Sequence, residues 1–351
     1  MRPVFLSHAG LWCAAGSTPE AVRANLDRAP GGRLDLPQQA VPYAFATDPG
    51  KPCRARLDEA LAAVAATLGP LDPGTPLLIG SSSLLIGALE EGPWPPPPGE
   101  PADALREAVL ADWGLGARVF TSACASSVHA LEAAFGLVAS GRAAEAVVLG
   151  VELLNRATPA GFAALQLLSP TGARPLDADR DGLVLGEAVA AVRVSARPSR
   201  WRLHAPALAL DTTSATGYAE DGATIASVMR AALDLAGLAP SSVRAVKLQA
   251  SGAPATDAVE ARALRRVFGA ALPPLFSLKG ALGHTLGACG VAELAATLQC
   301  LEAGALPPTA GFRRPDPDLG LTPAQGPWDG GACLFNIQGF GGCLAAWVVT
   351  S

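Results

Sequence analysis

The sequence contains no apolar run of the roughly 18 residues that a membrane-spanning helix requires. It also contains no C-x-x-C pair: its seven cysteines, at 13, 53, 124, 289, 300, 333 and 343, are odd in number and scattered. That distribution argues against a disulfide framework and against a zinc site, so no metal is expected. Lys and Arg never form a dense block and the net charge is −5, which speaks against a nucleic-acid partner. Charged residues make up only 16% of the chain, and histidine occurs just four times, at 8, 129, 204 and 284. The first residues, Met1-Arg2-Pro3-Val4-Phe5-Leu6, turn polar too soon for a secretory signal. A reduced, cytoplasmic location is the expectation. What the chain has in abundance is apolar side chains, half of all residues. Over 351 residues this suits one large domain or two intimately joined halves, with apolar surface left over for a partner.

The most informative stretch begins with a β-prone run at 118–121 that leads into Ser122-Ala123-Cys124-Ala125-Ser126-Ser127. Val128, Leu131, Phe135 and Val138 then recur at helical spacing until Ser140-Gly141, and an apolar strand follows at 146–150. Cys124 therefore sits where a strand turns into a helix. The positive end of a helix dipole favours the thiolate there, the nucleophilic form. A small cysteine packed in a tight turn is the structural alternative.

Alternating elements extend along the whole chain. Val4-Phe5-Leu6 reads as a strand, Thr18-Pro19 as the start of a capped helix, and 29–52 as surface loop. Leu57, Leu61, Val64 and Leu68 mark a helix before the buried strand at 76–80, and the prolines between 92 and 101 predict an extended excursion. The charged loop from Arg174-Pro175-Leu176-Asp177 to Gly186-Glu187 precedes an apolar strand at 189–194. Asp and Arg in one loop read first as a self-satisfying polar network. After that point the rhythm repeats: strands at 208–210, 243–248, 274–278, 332–337 and 344–349 alternate with helical patterns around Met229, Leu264 and Leu298. The fold class is α/β with covered sheets, and the two similar halves, 1–195 and 196–351, point to an internal duplication.

Five separated motifs, in order, together resemble the β-ketoacyl-acyl-carrier-protein synthases, condensing enzymes of the thiolase fold. They are the segment around Cys124, the signature from Arg174 to Glu187, Lys279 with Gly283-His284-Thr285-Leu286-Gly287-Ala288, Leu306-Pro307-Pro308-Thr309, and Gly339-Phe340-Gly341-Gly342. The resemblance implies αβαβα layers built from two pseudo-repeated halves, and usually a dimer. It implies no bound cofactor, with substrates carried instead on the phosphopantetheine of an acyl carrier protein. By position in the family, Cys124 accepts the acyl chain and the backbone N–H groups of Cys124 and Phe340 form the oxyanion hole. Phe340 is the aromatic gate and His284 one of two histidine donors. Lys279 and Glu187 hold the charge network, with Asp181 in the supporting loop.

One departure changes the expectation. The family's first histidine opens His-Gly-Thr-x-Thr-Pro, but here the run is Gln249-Ala250-Ser251-Gly252-Ala253-Pro254, with Asp257 and Glu260 at the family spacing. Gln249 keeps an N–H donor but carries no exchangeable proton near neutrality. Losing an oxyanion donor outright costs about 10²–10³ in rate. Ser251 and Ala253 replace threonines, Gln338 replaces an aromatic residue, and Cys343-Leu344 replaces Thr-Asn. These changes favour a chain-length-factor-like subunit, as in polyketide or aryl-polyene systems, paired in a heterodimer with a complete ketosynthase. An active ketosynthase or acyltransferase, acting alone or as a homodimer with Gln249 as donor, is the alternative. Arg262, Arg265 and Arg266 are candidates for a carrier-protein landing patch, against the plainer reading of a solvated helix face.

Overall fold

In the computed structural model, residues 1–37, 39–72, 74–92, 101–113, 116–214 and 217–351 are described; the proline-rich stretch expected to be extended lies mostly outside the described residues. Eleven strands form the main sheet: β1 Val4–Cys13, β2 Leu77–Gly80, β3 Ala117–Phe120, β4 Glu145–Glu152, β5 Ala188–Ser195, β6 Trp201–Leu203, β7 Ala207–Leu210, β8 Val243–Lys247, β9 Leu275–Phe276, β10 Ala332–Gly339 and β11 Cys343–Thr350. Five helices dominate the layers around it: α1 Cys53–Leu68, α2 Ser126–Ala139, α3 Ala223–Ala236, α4 Pro254–Phe268 and α5 Cys289–Glu302.

The pairing repeats. In the first half the order is β3-β2-β4-β5-β1, with β2 parallel to β3 and β4, and β5 antiparallel to β4 and β1. The second half has the order β9-β8-β10-β11-β7 with the same sequence of parallel and antiparallel pairs. Short β6 pairs with both β1 and β11 and joins the two ladders.

Three apolar clusters separate five layers. Leu57, Leu61 and Val64 of α1 pack on Val147, Leu149 and Val189, the outer face of the first ladder. Met229 of α3 and Leu264 of α4 pack on Leu334, Leu344 and Val348, the outer face of the second. Between the ladders lie α2 and α5, against Val148, Val192, Phe335 and Trp347. Alternate residues of β4, β5, β10 and β11 thus enter different cores. Strands covered on both faces read as continuous apolar runs, which is how they look in the sequence. The layering is the αβαβα arrangement that the resemblance implies.

One segment departs from expectation. Residues 29–52 are not all surface loop: Arg33–Asp35 and Ala40–Ala44 form a hairpin ladder, and Tyr43 and Ala44 pair with Leu185 and Gly186. Val41, Tyr43 and Ala44 are buried. Pro42 stands in the middle of Ala40–Ala44, and a proline inside an apolar run argues against reading a strand there.

Among the described residues, no helix is long and apolar enough to cross a membrane. No cluster of His, Cys, Asp and Glu suited to a metal occurs among them either.

Candidate active site

The turn that carries Cys124 is tight because its residues are small. Ser126 Oγ accepts from the Ser122 N–H at 2.9 Å and donates to the Ala123 carbonyl at 2.6 Å, while Ala123 takes a φ of +47°. Gly80, at the end of β2, lets the start of α2 approach: a Cβ there would lie 2.3 Å from the Ser127 Cα. Gly339 does the same from the other side, since its Cβ would stand 3.2 Å from the Cys124 nitrogen. Glycine at 339 eases this close approach, and the Phe340 backbone N–H next to it lowers the Cys124 pKa, which burial raises. The Phe340 ring stacks on Phe162, with centroids 5.3 Å apart.

His284 reaches Cys124 from the second half. Its backbone is pinned between Val184 and Gly186, by N–H to Val184 carbonyl (2.7 Å) and carbonyl to Gly186 N–H (3.1 Å). Its Nε2 lies 3.0 Å from Cys124 Sγ. Cys124 and His284 occupy equivalent places: each lies between an edge strand, β3 or β9, and the central helix that follows, α2 or α5.

Both groups are neutral. Burial pushes the Cys124 thiol up to about 12, and the Lys279 ammonium and the Phe340 N–H offset this only in part. This burial opposes the thiolate that the strand-to-helix position of Cys124 favours. Burial, and then the ammonium groups of Lys279 and Lys247, hold the His284 imidazole well below its ordinary pKa.

The charge network around them is larger than the motifs indicated. Glu293 on α5 accepts from Lys279 and also from Lys247 on β8, and all three side chains are essentially unexposed. Burial alone would raise the Glu293 carboxyl, but the two ammonium groups override it and lower it. Lys247 and Glu293 were signalled in the sequence as single charges inside otherwise apolar runs; buried charges in such runs call for a partner.

Gln249 lines the same chamber as Cys124 and His284. Glu260 accepts from the Gln249 and Ala250 N–H groups, both at 2.8 Å, and Asp257 from Ser251 (3.0 Å) and Gly252 (3.2 Å). One of the two Nε2 hydrogens of Gln249 is donated to the Gln338 backbone carbonyl at 3.0 Å. Its Oε1 has no partner among the described residues. Burial raises Asp257 to about 6 and Glu260 to about 7.

Cys124, His284, Gln249, Gln338, Phe340 and Tyr218 line one chamber of about 30 Å³. Tyr218 and Phe340 also border a neighbouring apolar cavity of about 440 Å³, which Asp181 lines. Burial, above all, holds the Tyr218 phenol well above its ordinary pKa. Nothing in the motifs marked it.

Other predicted residues brace the site. Glu187 accepts from Arg56 Nη1 (2.8 Å), the Ala46 N–H (2.9 Å) and the Leu154 N–H (2.7 Å), tying three segments together away from the chamber. Asp181 accepts from Ser169 Oγ at 2.5 Å and Thr171 Oγ1 at 2.9 Å. Asp177 takes the N–H groups of Arg313 and Arg314, so the charged loop is a polar network. His129 bonds Ser122 and His204 bonds Thr350, and neither is among the residues that line the chamber. Arg262, Arg265 and Arg266 are each engaged within the chain, by the carbonyls of Glu220 and Leu319 and by Asp221.

This arrangement offers a thiol, an imidazole in contact with it and a backbone N–H at the sulfur, the parts needed to accept an acyl group. The family model described as beta-ketoacyl synthase, N-terminal domain, matches residues 116–199, and its C-terminal counterpart matches 203–313. The 3-oxoacyl-[acyl-carrier-protein] synthase 2 of Mycobacterium leprae is 32% identical over 240 residues, 63% of this chain and 57% of that protein. The oxytetracycline polyketide putative beta-ketoacyl synthase 1 of Streptomyces rimosus is 34% identical over 255 residues, 67% and 60% of the two chains. The chain thus spans less than two thirds of these relatives' length. A ketosynthase in complex with its chain length factor, from Xenorhabdus doucetiae, superposes with a TM-score of 0.82 at 21% identity, covering 99% of this chain and 98% of that one. The shared fold is the thiolase fold.

Proposed function

Because the chain belongs to the β-ketoacyl synthase family, we propose that it serves acyl-chain elongation in fatty-acid or polyketide synthesis, as a chain-length-factor-like partner of a complete ketosynthase. Gln249 carries this reading. It stands at the first histidine position, where an amide that neither carries charge nor shuttles a proton near neutrality replaces an imidazole, and one of its two Nε2 hydrogens is held by the Gln338 carbonyl. The substrates ride on the phosphopantetheine of an acyl carrier protein in the cytoplasm, and no resident cofactor is involved. The low charge fraction and apolar composition suit a large dimer interface, and the X. doucetiae neighbour is itself described as a ketosynthase bound to its chain length factor.

Co-expression with a ketosynthase encoded beside it tests the reading. A stable heterodimer is expected, with no ketoacyl product from this chain alone on acyl- and malonyl-carrier protein. Condensation by the isolated chain, abolished by Cys124→Ala, would overturn it.

A second reading is favoured by the Cys124–His284 contact itself: the chain accepts an acyl group on Cys124 without condensing it. Acylation of Cys124 by an acyl thioester, read as a mass increment, is the test.

A further inference from the structure

We propose that the chamber beside Cys124 seats a water molecule between Gln249 and Gln338, and that this water discharges acyl groups from Cys124 as free carboxylic acids. The proposal rests on the acyl-accepting reading of Cys124 given above.

The amide of Gln249 is oriented by its bond to the Gln338 carbonyl, which leaves Oε1 without a partner. Neither Oε1 nor Nε2 of Gln338 has a partner among the described residues. Both side chains are buried, with 7% and 3% of their surface exposed, and both line the chamber. A buried polar group left unpaired forfeits the hydrogen bonds it makes in water. Three such atoms around one space therefore call for an occupant that both donates and accepts. The chamber's volume of about 30 Å³ suits one or two water molecules, each needing roughly 10–15 Å³ on this measure. A carboxylate fits poorly, because it only accepts and would face the free Gln249 oxygen. Water donates one hydrogen to Gln249 Oε1, accepts from Gln338 Nε2, and keeps its second hydrogen for His284 Nε2 and a lone pair for attack.

The step balances without any oxidant or metal. The water oxygen bonds to the acyl carbon of the Cys124 thioester and the carbon–sulfur bond breaks. The Phe340 N–H, which reaches the sulfur, is placed to meet the oxyanion. His284 Nε2, 3.0 Å from the sulfur, takes the water's proton and returns it to the departing thiolate. Acyl thioester plus water gives carboxylic acid plus thiol.

The test uses the full chain with acetyl- and octanoyl-pantetheine. The acyl-enzyme is followed by intact mass, isolated by gel filtration and chased in H₂¹⁸O. Release of the acid within minutes, carrying one ¹⁸O, is expected. Gln338→Met should slow hydrolysis at least tenfold relative to discharge of the same acyl-enzyme by free pantetheine, and Gln249→Leu is the second variant should the first fail to fold. An acyl-Cys124 that persists for hours overturns the hydrolytic role while leaving acyl acceptance intact. Absence of any acyl-enzyme overturns both.

Discussion

Cys124 Sγ and His284 Nε2 lie 3.0 Å apart across 160 positions of sequence, the thiol from the first structural repeat and the imidazole from the second. Burial keeps both uncharged, so the pair shares one hydrogen and holds no ready thiolate.

The alkylation rate of Cys124 should follow from this. A thiol pushed up to about 12 has a thiolate fraction that grows tenfold per pH unit below that value. Labelling with iodoacetamide, read by peptide mass, should climb steadily between pH 7 and 10. A plateau below pH 9 would show that the thiolate is stabilised after all.

Gln249→His should restore a second imidazole donor. In a site of this type one lost donor costs about 10²–10³ in rate, so decarboxylation of malonyl-carrier protein should rise at least tenfold over the parent chain. No rise would mean that the chamber, rather than the donor, limits the reaction.

The buried Lys247–Glu293–Lys279 cluster predicts an asymmetry in stability. Glu293→Leu strands two buried ammonium groups and should cost at least the roughly 3–5 kcal/mol of a broken buried ion pair. Lys247→Met leaves a one-to-one pair and should cost far less. Urea unfolding of both variants decides the matter, and equal losses would contradict the cluster.

Glu260 and Asp257 give the fold a pH dependence. Their folded-state pKa values, about 7 and about 6, lie above ordinary carboxylate values, so the folded chain binds more protons than the unfolded one. Their contribution is complete below about pH 4, near the unfolded values, and is lost as pH rises through 6 and 7. Thermal midpoints should therefore decline from pH 5 to 8 through these groups, and Glu260→Gln should flatten the decline. An unchanged slope in the variant would remove Glu260 from this account.

Much of the molecule was legible before any coordinates. The Cys124 turn was readable because small residues, strand and helix follow one another locally. His284, Lys279, Glu187 and Phe340 were readable because each sits in a motif whose spacing carries the resemblance. The repeat was visible as two runs of alternating apolar segments, since strands covered on both faces have no polar phase to blur them. The hairpin strands at 33–35 and 40–44 escaped because proline and glycine dominate their surroundings.

What the sequence by itself determined was the set of chemical groups and the local geometry of the nucleophile turn. Tertiary structure decided their states. Cys124 sits before a helix start, a local feature that favours charge, but packing beneath two sheets removes the water that charge requires. Lys247 and Glu293, 46 residues apart, become one cluster with Lys279 only when β8 meets α5. The Gln338 carbonyl, brought in by β10, takes one amide hydrogen of Gln249 and so fixes the side chain beside Cys124's chamber, with its oxygen unpartnered among the described residues. Desolvation and the choice of hydrogen-bond partner depend on neighbours distant in sequence, and only the folded chain supplies them.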